Sequence, residues 1–219
     1  MANLKDKQLK YEKALECDIF VKEEYSFAKG KIKEAECIFD IWWHIWLFSK
    51  WCRSLNSNVK IYYFEPIHEF YEKAKKELWN DDKIILNNCW IASKSGEWRM
   101  LLNEEKTMQS SKYTSFLNQK WRGVVVNFVT LKDYLQQRNI DKIDVLKMDI
   151  EWMEFEVLDL FSDFEREKIE NLIVEVHILN EEMKLKWNQI LLELKNIFWD
   201  IKIINSWYRE EIFLLRASK

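Results

Sequence analysis

From residue 36 onward the chain alternates short apolar runs with longer stretches whose apolar residues recur every three or four positions. The short runs predict strands buried on both faces, and the longer stretches predict amphipathic helices. "ECIFDI" (36–41), "VKIYYFEP" (59–66), "KIILNNCWI" (83–91), "IDVLKMDI" (143–150) and "IENLIVEVH" (169–177) read as strands. Helices are expected at about 45–55, 67–78, 131–139, 154–161 and 180–197. "WRMLLNEE" (98–105) and "GVVVNFVTL" (123–131) predict a short antiparallel insert. "DIKIINS" and "EEIFLLRA" predict a hairpin near the end of the sequence. Residues 3–16 and about 21–29 are rich in Lys, Glu, Leu and Ala and read as helical. They form a cap over residues 1–30, ahead of a single α/β domain at 31–219. Strands alternating with helices mean a mostly parallel, doubly wound sheet with helices on both faces.

Ligands of such sheets bind outside the carboxyl ends of the strands, where the strand order reverses. That rule singles out Asp40 to Trp46, Glu65 and Pro66, Asn87 to Trp90, Asp149 to Trp152, and Glu175 with His177. A carboxylate ending the second strand suits the two hydroxyls of a ribose, although Glu65 could equally cap the helix that follows. Lys147 and Asp149 are two apart on a strand and share one face, an unusual place for charges unless they are paired or meet a ligand. A salt-bridge network is the plain structural alternative. His177 could act as a general base, or simply hydrogen-bond Asp149 or Glu151.

Composition narrows the function classes. The 219 residues are 48% hydrophobic and 32% charged with a net charge of −3, as in a soluble globular protein. Charges of both signs are interspersed, so no basic surface for nucleic acid is expected. No apolar run approaches the roughly 20 residues of a membrane helix. The polar start lacks the apolar core of a signal peptide, and the four cysteines are scattered, which together predict a cytoplasmic protein with reduced thiols. Three histidines are too few for a histidine-rich metal site, and no metal is expected. The sequence contains no GxSxG, P-loop or HExxH motif.

The strand-end motifs, taken together, resemble those of FkbM-type S-adenosylmethionine-dependent methyltransferases. In that family the first strand enters D-[VI]-G-[AG]-[NH]-x-G, the second ends F-E-P, the fourth reads L-K-[IM]-D-[VI]-E-G and the fifth ends E-[VIL]-H. The corresponding stretches here are "DIWWHIW" (40–46), "FEP" (64–66), "LKMDIEWMEFEVL" (146–158) and "EVH" (175–177). The resemblance spans about residues 23–215. It implies a Rossmann-like class I methyltransferase fold, a seven-stranded, mostly parallel sheet with an antiparallel C-terminal hairpin. It also implies S-adenosylmethionine as cofactor and a sugar or small-molecule hydroxyl as methyl acceptor. Asp40, Trp42, Trp43, His44 and Trp46 would stand at the methionine end of the cofactor, Glu65 and Pro66 at the ribose, and Asn88 beside the adenine. Asp149, Glu151 and His177 would face the acceptor. The insert at 98–130, including "MQSSKYTSF" (108–116), would select it. A nicotinamide oxidoreductase is disfavoured, because its pyrophosphate needs a GxGxxG loop.

The departures from the family share one character: Trp42, Trp46 and Trp152 stand where it has glycine, and Trp43 where it has Gly or Ala. Trp79, Trp98, Trp121 and Trp207 also occupy natural glycine sites, whereas Trp51 and Trp187 belong to helices. The chain holds three glycines and twelve tryptophans, while glycine is ordinarily about 7% of a protein. A gene whose UGA codons specify glycine, written with UGA as tryptophan, produces this pattern. The alternative is an inactive methyltransferase-fold domain whose pocket is filled by indoles and which acts through protein contacts. The source DNA is therefore expected to carry UGA at 42, 46 and 152; UGG at those positions would sink the codon explanation.

Overall fold

In the computed structural model the described residues are 4–42, 46–103, 110–111, 121–150, 155, 157–158, 163–178, 180–205 and 212–219. The chain opens with α1 (Leu4–Glu16), a π-helical turn (Cys17–Val21), a 3-10 turn (Ser26–Ala28) and α2 (Lys29–Glu34). The segment expected as one helix at 21–29 is thus broken. Glu23, with φ of 55°, takes the left-handed conformation that ends a right-handed run.

The alternation that follows gives β1 (Cys37–Trp42), α3 (Leu47–Leu55), β2 (Lys60–Phe64), α4 (His68–Leu78) and β3 (Ile84–Asn87). Next come β4 (Trp90–Ile91), β5 (Gly96–Asn103), β6 (Ser110–Ser111), β7 (Trp121–Val129) and α5 (Leu131–Arg138). The rest comprises β8 (Val145–Asp149), α6 (Asp163–Lys168), β9 (Asn171–His177), α7 (Glu181–Leu194), β10 (Asp200–Asn205) and β11 (Ile212–Ser218). The run expected as one strand at 83–91 is two: β3 joins the main sheet, while β4 leaves it for a second sheet. Helix α6 was not anticipated. The helix expected at 154–161 falls largely outside the described residues, but Phe155, Val157 and Leu158 are buried.

The main sheet has the order β10-β11-β9-β8-β1-β2-β3. Strands β1, β2, β3, β8 and β9 are parallel, and β11 runs antiparallel between β9 and β10. This is the seven-stranded, mostly parallel sheet with its terminal hairpin. From β1 the chain builds outward through β2 and β3, then crosses back to β8 on the other side, so the order reverses between β1 and β8. The second sheet, β4-β7-β5-β6, replaces the expected two-stranded insert and is tied to α4 by Arg122, whose Nη2 donates to both oxygens of Glu69 at 3.0 and 2.9 Å.

Alternation along the strands sorts their side chains onto two faces. Phe39, Ile41, Phe64, Leu146, Met148, Val174 and Leu215 meet α5 and α7 on one face. On the other, Ile38, Ile61, Tyr63, Val145, Ile173 and Leu214 meet α2, α3 and the N-terminal segment through Ile32, Phe48, Trp51, Ile19 and Tyr25. The helices present the spacing this requires: Trp187, Ile190 and Leu194 are the buried side of α7, whose N-cap Asn180 accepts the Met183 amide at 2.8 Å.

With so few glycines, other residues take up the turn conformations. Asn139, at φ 52° and ψ 47°, closes α5 in the left-handed geometry usually given to glycine, and Ile140 N–H bonds back to the Leu135 carbonyl. Position 79, by contrast, stays right-handed (φ −58°, ψ −25°), so its backbone places no demand for glycine. The described tryptophans divide by burial. Trp51, Trp90 and Trp187 are 3%, 2% and 4% exposed, whereas Trp79, Trp98 and Trp199 are 74%, 49% and 82% exposed. Large aromatics this exposed contribute little to a core. Trp199 thereby joins the residues with no packing reason to be tryptophan.

Asn56 fastens the start of the domain. Its side-chain amide donates to the carbonyls of Ile32, Lys33 and Ala35, and its oxygen accepts the amides of Asn58 and Val59. Asn56→Ala should lower the unfolding free energy by about 2 kcal/mol, because several polar groups lose their partner at once; urea denaturation measures it.

Candidate functional site

Charged side chains crowd the face of the sheet covered by the N-terminal segment, near the β1/β8 reversal. Asp40 on β1 lies directly across from Lys147 on β8 and from Tyr63 on β2. Lys147 and Asp40 have no exposure, Asp149 7% and His177 2%. Lys147 Nζ is 3.2 Å from Asp149 Oδ2 and 5.9 Å from the centre of the Phe48 ring. A lysine there is tolerated because it is paired at once by a carboxylate and by a ring face. His177 Nε2 lies 3.8 Å from Glu175 Oε1 on the same strand.

Asp40 is held by α3: Ser49 Oγ donates to its Oδ2 at 2.5 Å, while Oδ1 has no hydrogen-bond partner among the described residues. Burial pushes the Asp40 carboxyl up to about 6, against the lowering effects of Lys147 and Ser49, and the Asp149 carboxylate adds to the rise. Tyr63, fully buried beside it, likewise carries a hydroxyl without a partner among the described residues. Unanswered polar atoms on two paired residues of a packed sheet mark places where water or a ligand group belongs.

Two site residues come from the segment read only as a cap. Tyr25 is buried, with its ring 5.0 Å from Phe48 and 6.0 Å from Trp51, and it interacts electrostatically with Glu175, Asp149 and Asp40. Glu24, next to left-handed Glu23, interacts with Lys147 and Asp149; burial, then the Asp18 charge, raise its carboxyl above the ordinary value. The sequence signal available was the buried lysine itself, which obliges something to cover it.

Glu65 is fully buried at the end of β2, and its Oε1 accepts the Ile67 amide at 2.7 Å. That amide belongs to the residue before α4 begins, so Glu65 fastens the turn and does not cap the helix, whose N-cap has no side-chain hydrogen bond. Asn88 acts on the same turn: its Nδ2 donates to the carbonyls of Glu65 and Pro66 at 2.8 and 3.1 Å, and its Oδ1 meets His68 Nδ1 at 3.1 Å. Those bonds make Asn88 a brace for the Glu65–Pro66 turn. Pro66, with Ile41, Phe64, Cys89, Trp90 and Ile150, lines a tight apolar crevice beside it.

Trp42 pairs with Asp149 at the end of β1, and Trp46 precedes α3, half-buried, with Lys50 Nζ 5.8 Å from its ring. Trp43, His44, Glu151 and Trp152 lie outside the described residues, as does most of 108–116. Among the described residues no group of three or more His, Cys, Asp or Glu could hold a metal, and no helix is long and apolar enough to cross a membrane.

The residues present fit a sulfonium nucleoside. A buried carboxylate with a spare oxygen (Asp40) could meet a cationic group, and Glu65 puts a second buried carboxylate at the end of the neighbouring strand, where hydroxyls could meet it.

The sequence matches the profile of the Methyltransferase FkbM domain over residues 44–198. No curated protein matches significantly. Among solved structures, the fold is similar to methyltransferase FkbM from Methylobacillus flagellatus, with a TM-score of 0.55 and 14% identity over 84% of this chain and 43% of that one. It is also similar to a SAM-dependent O-methyltransferase from Thermotoga maritima, with a TM-score of 0.52 and 14% identity over 90% of this chain and 64% of that one. A Streptococcus mutans protein solved in complex with SAH gives a TM-score of 0.52 and 9% identity, over 89% of this chain and 97% of that one. At such identities the likeness establishes the fold, which is that of class I methyltransferases. The chain spans less than half of the Methylobacillus protein.

The Asp40 carboxyl sets a pH dependence. A buried acid whose pKa rises from 3.8 to about 6 on folding binds its proton more tightly in the native state. Its contribution is therefore fully present below pH 4 and is lost as pH rises to 6. Asp40→Asn removes that loss, so its stability relative to the parent should improve by about 3 kcal/mol between pH 4 and pH 7 in urea titrations. A pH-independent difference would contradict the assignment.

Proposed function

The chain belongs to the FkbM methyltransferase domain family, and on that footing we propose that it transfers a methyl group from S-adenosylmethionine to a hydroxyl of a sugar or other small molecule. The observation that carries this reading is the gathering of Asp40, Glu65 and Asp149 toward the carboxyl ends of three neighbouring strands at the β1/β8 reversal. That is where a doubly wound sheet receives its ligand.

The cofactor supplies an electrophilic methyl on a positively charged sulfur. The protein's part is to bind, orient and receive a proton. Glu65 accepts the ribose hydroxyls, with Asn88 keeping its turn in place, and Asp40 faces the cationic end. Asp149 and His177, with Glu151 by the motif resemblance, would serve the acceptor hydroxyl. Its proton becomes acidic only as the new bond forms, so a weak base suffices and positioning does most of the work. A small, uncharged or cationic acceptor suits this acidic setting, and the net charge of −3 favours it over nucleic acid. The protein is expected to work in the cytoplasm.

The tryptophans at the loop decide whether the chain as written can do this. Indoles at 42, 43, 46 and 152 add bulk where backbone must approach the cofactor, and overpacking of this kind costs about 1–3 kcal/mol per site. A protein carrying Trp42→Gly, Trp43→Gly, Trp46→Gly and Trp152→Gly should bind S-adenosylmethionine at least tenfold more tightly than the written chain, read by titration calorimetry. Equal and negligible binding by both would favour the inactive, partner-binding alternative.

A further inference from the structure

Glu175 is a sheet carboxylate of this face to which the reaction above gives no task. β8 and β9 are parallel, with Lys147 opposite Ile173 and Met148 opposite Val174. Continuing that register sets Asp149 beside Glu175, and both belong to the face that carries Lys147. The two carboxyl groups therefore act on each other directly across the strand pair. Like charges on neighbouring positions of one face are costly unless they share a proton or meet a cation. Lys147 Nζ lies 3.2 Å from Asp149 Oδ2. His177 stands 3.8 Å from Glu175. The N-terminal segment faces the pair with Tyr25 and Glu24, β1 with Asp40, and β11 with the neutral Leu214 opposite Glu175. Burial first, and the Asp149 charge second, push the Glu175 carboxyl well above the ordinary range, against the opposing pull of His177 and Lys147. A proton held by the pair is therefore assigned to Glu175.

We propose that Asp149 and Glu175 form a proton-sharing pair that times the methyl transfer: it holds one proton in the empty site, gives it up as a cationic methyl donor enters, and takes one back from the acceptor hydroxyl. The acceptor oxygen bonds to the methyl carbon as the methyl–sulfur bond breaks, its electron pair remaining on sulfur. The acceptor O–H bond breaks, and its proton passes to the Glu175 carboxylate. The sulfur is then neutral, and the pair has regained the proton it held at the start. Like charges this close do not both ionise unless a nearby cation compensates, and the donor's sulfonium is that cation. The donor and acceptor rest on the methyltransferase reading; the shared proton rests on this chain's geometry alone.

Two measurements test the two parts. Infrared spectra of the written chain at pH 7, with glutamate labelled by carbon-13 at the carboxyl, should show a protonated glutamic acid band. That band should vanish in Glu175→Gln, which keeps a donor toward Asp149, and should titrate at lower pH in Asp149→Asn. A band that survives Glu175→Gln, or no protonated glutamate at pH 7, overturns the pair. In the four-glycine protein, titration calorimetry in buffers of different ionisation enthalpy should show about one more proton released on binding S-adenosylmethionine than S-adenosylhomocysteine. Glu175→Gln should abolish that excess, and equal release by both ligands overturns the coupling. If the four-glycine protein binds neither ligand, the methyltransferase reading fails, while the infrared spectra still judge the pair.

Discussion

An ammonium group with no exposure to water has to be answered from within the protein, and Lys147, in the middle of the parallel sheet, is that group. Asp149 answers it two residues along, Asp40 sits opposite it on β1, and the Phe48 ring covers it. Phe48 is there because α3 begins just after the first loop, and Tyr25 is packed on Phe48 from the N-terminal segment. The same covering that makes the lysine dry also dries the carboxyls around it. Their altered proton affinities thus follow from one buried charge and its enclosure, and they lie where the strand order opens the sheet to a ligand.

The fold was largely legible because most strands carry an unbroken apolar run and most helices a clean three-to-four spacing. Where the reading slipped, two structures competed for one stretch. Residues 83–91 look like a single strand, yet Asn88 turns away to brace Glu65 and Pro66, and Trp90 then pairs with Phe128 in another sheet. No local pattern announces such a change of partner. The site was legible only where a charge interrupted an apolar run, as at Asp40, Lys147 and Asp149. Ser49, Tyr25 and Glu24 were hidden because their relevance comes from long-range packing, and a serine or glutamate on a helix-like segment otherwise reads as surface. Glu65 illustrates a missed option: the sequence suggests a ribose ligand or a helix cap, but it accepts the Ile67 amide in the turn ahead of α4.

The tryptophans give the same lesson from the other side. Trp51 and Trp187 sit at positions the helical spacing assigns to the core, and both are buried with aromatic neighbours. Trp79, at the end of α4, and Trp199, just before β10, project into solvent, where nothing in the packing calls for an indole. Yet the backbone at 79 is an ordinary right-handed one. A shortage of glycine therefore bears on this protein less through its surface turns, which Asn139 shows can be made otherwise, than through the few places where another molecule must come close to the main chain.

The strand order also separates two kinds of boundary. The family likeness in sequence covers residues 44–198, but β1 ends at Trp42 and lies between β8 and β2 at the middle of the sheet, while β11, at 212–218, is wedged between β9 and β10. The stretch matched by the family profile therefore leaves out the central strand β1 and both strands of the closing hairpin, β10 and β11. What is inherited as a recognisable sequence and what can stand as a folded body are here different lengths of chain, and only the longer one buries Lys147.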